Sequence, residues 1–187
     1  MRSPDEFSID CIHNYPMPKN LELKAKYPNI KRAEAIARTI SETEPEVLEQ
    51  TDTYYIVPRG RLKLREIRGK ETELIWYDRK EDGADRLSTF ERIPIGSSPG
   101  FISILNQTLG VDVKVEKQRT VYIWNDCRIH IDLVDQLGPF VEFEVLKSQQ
   151  NDERTRLDFL IEKFGITDLD TINCSYADLI RTITADH

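Results

Sequence analysis

Arg61-Leu62-Lys63-Leu64-Arg65 alternates cation and leucine without a break. Successive side chains of a strand point to opposite faces. As a strand, this run puts Leu62 and Leu64 on one face and Arg61, Lys63 and Arg65 on the other. The same sorting works outward along the chain. In Asn20–Lys26, Leu21, Leu23 and Ala25 oppose Asn20, Glu22, Lys24 and Lys26. In Arg128–Asp132, Ile129 and Ile131 oppose Arg128, His130 and Asp132. In Phe140–Val145, Val141, Phe143 and Val145 oppose Glu142 and Glu144. Ile75, Tyr77 and Arg79 share a side, as do Lys117 and Arg119.

Strand-like composition or alternation marks Asn20–Lys26, Thr53–Pro58, Gly60–Ile67, Thr72–Lys80, Leu87–Ile93, Val111–Gln118, Arg119–Trp124, Cys127–Val134 and Phe140–Lys147. Short turn-like pieces join several of them: Pro58-Arg59-Gly60, Asp82-Gly83 and Asn125-Asp126. Many hairpin-joined strands predict an antiparallel meander able to close into a barrel. Apolar residues at helical spacing predict helices over Ile30–Ser41, Phe101–Leu109, Asp152–Phe164 and Ser175–Ile183. Residues 1–19 form a proline-broken lead-in, with a short edge strand over Ser8–His13, and 20–187 read as one domain.

Composition narrows the function. The 187 residues carry 26 Lys+Arg against 33 Asp+Glu, a net charge of −7. A general nucleic-acid coat needs a basic surplus, so no nucleic-acid partner is expected. No apolar run approaches the roughly 20 residues of a membrane span, and the start lacks a secretory h-region. Cys11, Cys127 and Cys174 lie far apart, which fits a reducing, cytoplasmic setting.

A sheet with one charged face has a plain explanation: helices cover one side and water the other. The density of like charge argues for more. Arg61, Lys63 and Arg65 repel one another, as do Glu142 and Glu144, unless a counter-charged ligand joins them. Arg forks and Lys point charges suit phosphate. Carboxylates aimed at one point suit a hard cation such as Mg²⁺ or Mn²⁺. Both sets on one concave surface would hold a metal-bridged polyphosphate. His130, alone among these positions, is expected to be a satisfied or exposed side chain rather than a proton shuttle.

These blocks, in order, resemble the CYTH, or triphosphate tunnel metalloenzyme, superfamily, on the side of the class IV adenylyl cyclases, with thiamine triphosphatases and tripolyphosphatases as relatives. Asn20-Leu21-Glu22-Leu23-Lys24 resembles the family's opening E-x-E-x-K. Gln50–Tyr55 and Gly60–Glu66 are similar to its second and third strands, and Leu74–Lys80 to its fourth. Glu116–Tyr122, His130-Ile131-Asp132, Leu137-Gly138, Phe140–Glu144 and the closing Ser175–Leu179 follow in the family's order. The resemblance implies an α+β fold: an eight-stranded antiparallel barrel forming a tunnel, charged inside and helix-covered outside. It implies that Lys24, Arg61, Lys63, Arg65, Arg79, Lys117, Arg119 and Arg128 bind the substrate, and that Glu22, Asp132, Glu142 and Glu144 bind Mg²⁺ or Mn²⁺. Glu22, Lys24 and Arg65 are the expected catalytic residues.

The expected activity is metal-dependent hydrolysis of a nucleoside, thiamine or inorganic triphosphate by a monomer or homodimer. The alternatives are cyclisation of ATP to cyclic AMP and pyrophosphate, or a tunnel that binds polyphosphate without turnover. The last rests on Asn20, which stands where the family's first acid would be.

Overall fold

The computed structural model describes residues 20–79, 88–96, 99–146 and 152–185. The chain runs β1 (Asn20–Lys26), α1 (Ile30–Ile40), β2 (Glu46–Tyr55), β3 (Arg61–Ile67), β4 (Glu73–Arg79), β5 (Ser88–Pro94), α2 (Pro99–Leu109), β6 (Val111–Trp124), β7 (Cys127–Val134), β8 (Gly138–Leu146), α3 (Glu153–Phe164) and α4 (Tyr176–Ala185). The eight strands form one antiparallel sheet in the order β1-β8-β7-β6-β2-β3-β4-β5. Residues from all eight line one cavity, so the sheet is curled into a half-barrel with β1 and β5 as its ends. The predicted α+β architecture, charged within and helical without, is the observed one.

Most strands fall within two residues of their predicted bounds, and two differ by more. Val111–Trp124 is a single 14-residue strand, pairing with β2 along one edge and β7 along the other. β2 starts at Glu46, seven residues before the predicted Thr53. Its first half, Glu46-Val47-Leu48-Glu49-Gln50, is rich in residues with little strand preference. Ladder bonds to β6 from Glu46 onward hold it extended regardless. The expected Ser8–His13 strand and Asp82-Gly83 turn lie outside the described residues.

Local chemistry sets the joints. Asn125 (φ 45°) and Asp126 (φ 57°) make the two-residue β6–β7 turn, where left-handed backbone matches strand twist. Gly60, at φ 66°, leads into β3. A Cβ there would sit 2.8 Å from both Trp76 Nε1 and the Tyr77 carbonyl, so only glycine fits. α1 begins at Asn29, whose Oδ1 accepts the Arg32 N–H at 3.0 Å.

The outer face of the sheet buries the leucine, isoleucine and valine parity. Ile129, Ile131, Val141, Phe143 and Val145 pack on Ala33 and Ala37 of α1 and Leu157, Leu160 and Phe164 of α3. Tyr55 and Leu64 pack on Leu105 of α2. α4 does something else: its Tyr176, Ala177 and Ile180 join Tyr54, Ile75, Tyr77, Val115, Val134 and Phe140, side chains of the inner face. This apolar plug stops one end of the half-barrel.

Candidate active site

The cavity holds about 780 Å³. Its wall follows from parity, now read in register. On β6, Lys117 and Arg119 face inward, and on β3, Lys63 and Arg65 do so. Each Lys-x-Arg pair is gripped by one buried carboxylate from a neighbouring strand. Asp52 of β2 takes Lys63 Nζ at 2.7 Å and Arg65 Nε and Nη2 at 2.9 and 3.1 Å. Asp132 of β7 takes Lys117 Nζ at 3.1 Å and Arg119 Nε and Nη2 at 2.7 and 2.6 Å. Gln50 donates to Asp52 at 3.1 Å, and the Tyr176 hydroxyl to Asp132 at 2.9 Å. Fork-to-carboxylate bonds of this kind fix the guanidinium plane. On this side four cations face two carboxylates, so positive charge is in excess.

The opposite side carries the reverse balance. Glu22 of β1 lies directly across from Glu144 of β8, and Lys24 directly across from Glu142. Lys24 Nζ is 3.5 Å from Glu142 and 4.2 Å from the Tyr176 ring centroid. Arg128 Nη1 is 3.1 Å from Glu144. These strands therefore supply three carboxylates and two cations, and Arg119 of the basic side also reaches Glu142 at 3.5 Å. Like charges directly across a ladder are destabilising, and the Glu22–Glu144 pair lines the cavity, where a cation can relieve it.

Charge states follow from burial and neighbours. Burial alone would raise the Asp52 carboxyl, but Arg65 and Lys63 outweigh it and hold it well below the usual range. Burial likewise opposes ionisation of Glu142, and Lys24, Arg119 and Lys117 overcome it. Burial pushes the Lys117 ammonium down to about 8, helped by repulsion from Arg119 and opposed by Asp132. Burial, then Arg119, pushes His130 down to about 4, so its ring is neutral at pH 7. His130 lines the cavity, is 3% exposed, and its Nδ1 has no partner.

Of the residues expected to form the site, the structure brings Glu22, Lys24, Lys63, Arg65, Lys117, Arg119, Arg128, Glu142 and Glu144 onto one cavity wall. Two depart from expectation. Asp132 is fully buried behind the wall, with its oxygens taken by Lys117, Arg119 and Tyr176, an arrangement of a counter-ion and not of a metal ligand. Arg61 turns to α4, bonding Ser175 Oγ at 2.6 Å and Asp178 Oδ2 at 2.9 Å. The side chains of Asn20 and Arg79 lie outside the described residues. Asp52, Tyr54, Tyr77 and Tyr176 were not assigned roles from sequence. Starting β2 at Glu46 would have exposed the parity Leu48, Gln50, Asp52, Tyr54 and marked Asp52 as an inner-face acid.

A metal suits the acidic side. Glutamate oxygens are hard donors matched to Mg²⁺ or Mn²⁺. Among the described residues no three or more His, Cys, Asp or Glu form a ready cage.

The sequence profile of the CYTH domain matches residues 18–176. The chain has no match among curated proteins. Solved structures resemble it over most of its length. A Pyrococcus horikoshii protein superposes with a TM-score of 0.75 at 18% identity, over 86% of this chain and 98% of that one. A candidate adenylate cyclase from Vibrio parahaemolyticus gives 0.70 at 24% identity, over 87% and 98%. A candidate adenylyl cyclase from Hippeastrum, with a dominant triphosphatase activity, gives 0.62 at 12% identity, over 89% and 96%.

Proposed function

The chain belongs to the CYTH domain family, and from that premise we propose that it is a divalent-metal-dependent enzyme hydrolysing a triphosphate held in the half-barrel. The observation that carries this is the polarised wall, with two Lys-x-Arg clamps facing a glutamate pair across one cavity. A triphosphate lies along the basic side, where Lys63, Arg65, Lys117 and Arg119 meet its oxygens. Asp52 and Asp132 hold those cations in fixed orientation, so little reorganisation is needed as charge shifts in the transition state. Arg119 joins the two sides through its 3.5 Å contact with Glu142, while Lys24 and Arg128 pair with Glu142 and Glu144 on the acidic side. Glu22, Glu142 and Glu144 are the carboxylates that would hold Mg²⁺ or Mn²⁺, with substrate phosphates and water completing its ligands. A bound ion would supply charge neutralisation for the phosphates and activation of water. Catalysis is then chiefly positioning and electrostatics, as phosphoryl transfer requires. Lys24, Arg65 and Glu22 act closest to the reacting phosphate, and Arg61 secures α4 instead of binding substrate.

The test is a panel of ATP, thiamine triphosphate and tripolyphosphate, each with Mg²⁺ or Mn²⁺, with products separated. Release of orthophosphate supports the proposal. Cyclic AMP and pyrophosphate from ATP would make the chain a cyclase. No turnover of any member, with binding retained, would make it a binding module, the reading that Asn20 favours.

A further inference from the structure

His130 is a buried polar side chain of the cavity to which the triphosphate reading gives no role. Register sets it directly across from Glu142 of β8 and, on its other side, from Val121 of β6. The next inward residue one way is Arg128, across from Glu144. The next the other way is Asp132, across from Arg119. His130 therefore stands where the wall changes sign, with Arg119 and Asp132 on one flank and Glu142 and Glu144 on the other; these four are the charges that act on its ring. Neither expectation for this histidine, satisfied or exposed, holds. It is 3% exposed and lines the cavity, and its Nδ1 is sealed off without a partner. Among the described residues the ring forms no hydrogen bond, and the carboxylates beside it are taken by Lys24, Arg119 and Arg128. The edge left to face the cavity is the one that carries Nε2.

A neutral imidazole has one N–H and one bare nitrogen. Its proton belongs on the nitrogen that can find an acceptor. The sealed Nδ1 has none, which puts the proton on Nε2, facing the cavity. The same geometry argues against a metal ligand. For Nε2 to bind an ion, Nδ1 must carry the proton, and ligating histidines hold that N–H with a further partner, which Nδ1 lacks. We propose that His130 is a substrate-contacting residue whose Nε2–H donates to an oxygen of the bound triphosphate where the chain passes from the basic side to the acidic side. This rests on the triphosphate reading and adds a residue to it. The side chain suits the place. A lysine or arginine there would pair with Glu142 or Glu144, and a carboxylate would repel phosphate. An N–H without net charge meets a phosphate oxygen and is drawn off by neither wall.

Substitution separates the two nitrogens, because a glutamine amide reaches the place of Nε2 and an asparagine amide that of Nδ1. Wild type, His130→Gln, His130→Asn and His130→Phe are titrated calorimetrically with tripolyphosphate and ATP in EDTA, where turnover is suppressed. The asparagine and phenylalanine variants are expected to bind both probes roughly tenfold more weakly, the size of one hydrogen bond to a charged group. The glutamine variant is expected to keep most of the wild-type affinity. Equal loss in the glutamine and asparagine variants, or loss in none, overturns the assignment while the triphosphate reading stands. Wild type binding neither probe overturns both. Should the variants fail to fold, ¹⁵N NMR of the wild-type chain labelled at its 3 histidines decides. Nε2 of His130 is expected to carry the proton, to shift on addition of tripolyphosphate, and to stay protonated with Mg²⁺ alone. A proton on Nδ1, an Nε2 unmoved by bound tripolyphosphate, or an Nε2 deprotonated by Mg²⁺ overturns the assignment.

Discussion

Asp132 is where the residue scale matters most. The carboxylate accepts bonds from Lys117, Arg119 and Tyr176 with no exposure to solvent. Removing its charge leaves two buried cations without their main partner. Asp132→Asn should therefore cost about 3–5 kcal/mol, the range for breaking a buried pair from one side, measured by urea unfolding. A solvent-facing metal ligand would lose far less, and an effect under about 1 kcal/mol would return Asp132 to the metal-binding set. Lys117 sets a pH limit. With its ammonium held at about 8, it is charged below that pH and neutral above it. Triphosphate affinity should fall as pH rises through 8, and Lys117→Arg, always charged, should remove that limb of a binding profile. A limb unchanged in the arginine variant would place the titration on another group.

At the scale of elements, α4 decides whether the cavity has a floor. Its start is a capping box: the Asp178 N–H donates to Ser175 Oγ at 3.2 Å, and the Ser175 N–H to Asp178 Oδ2 at 3.0 Å. Arg61 and Arg181 both bond Asp178. Burial opposes ionisation of Asp178, and bonds from Ser175 and Arg61 overcome it, holding the carboxyl at about 2. A folded value below the unfolded one means stability that is full above about pH 4 and lost as pH falls through 2. Asp178→Asn should cost about 1 kcal/mol at pH 7, a typical cap, and progressively less as pH falls from about 4 towards 2, by thermal unfolding. A cost independent of pH would exclude the ionised cap. This latch also explains Arg61: parity along β3 placed it with Lys63 and Arg65, but parity is blind to which helix lies against the strand's end. The start of β2 escaped sequence reading for a related reason, since pairing with β6 overrides weak local preference.

For the whole molecule, ligand binding and folding are linked. Tripolyphosphate with Mg²⁺ at 100 times its Kd should add about 2.7 kcal/mol. That raises Tm by roughly 5–10 °C for a domain of this length, and 1 M salt should erase most of the gain by screening the partly open wall. No shift at low salt would remove the charged band as a phosphate site. Local sequence determined much of this protein: alternation marked the apolar and charged faces of six strands and the gathering of Glu22, Lys63, Arg65, Glu142 and Glu144 on one side of a sheet, turn residues the hairpin at Asn125-Asp126, and helical spacing the four helices. A strand offers only two faces, and local order settles which side chain takes which. Only the tertiary structure decided which charged groups line the cavity and which pair with each other behind it. Asp52 and Asp132 became internal counter-ions and Arg61 went to α4, because curvature and shear bring together residues of strands far apart in sequence.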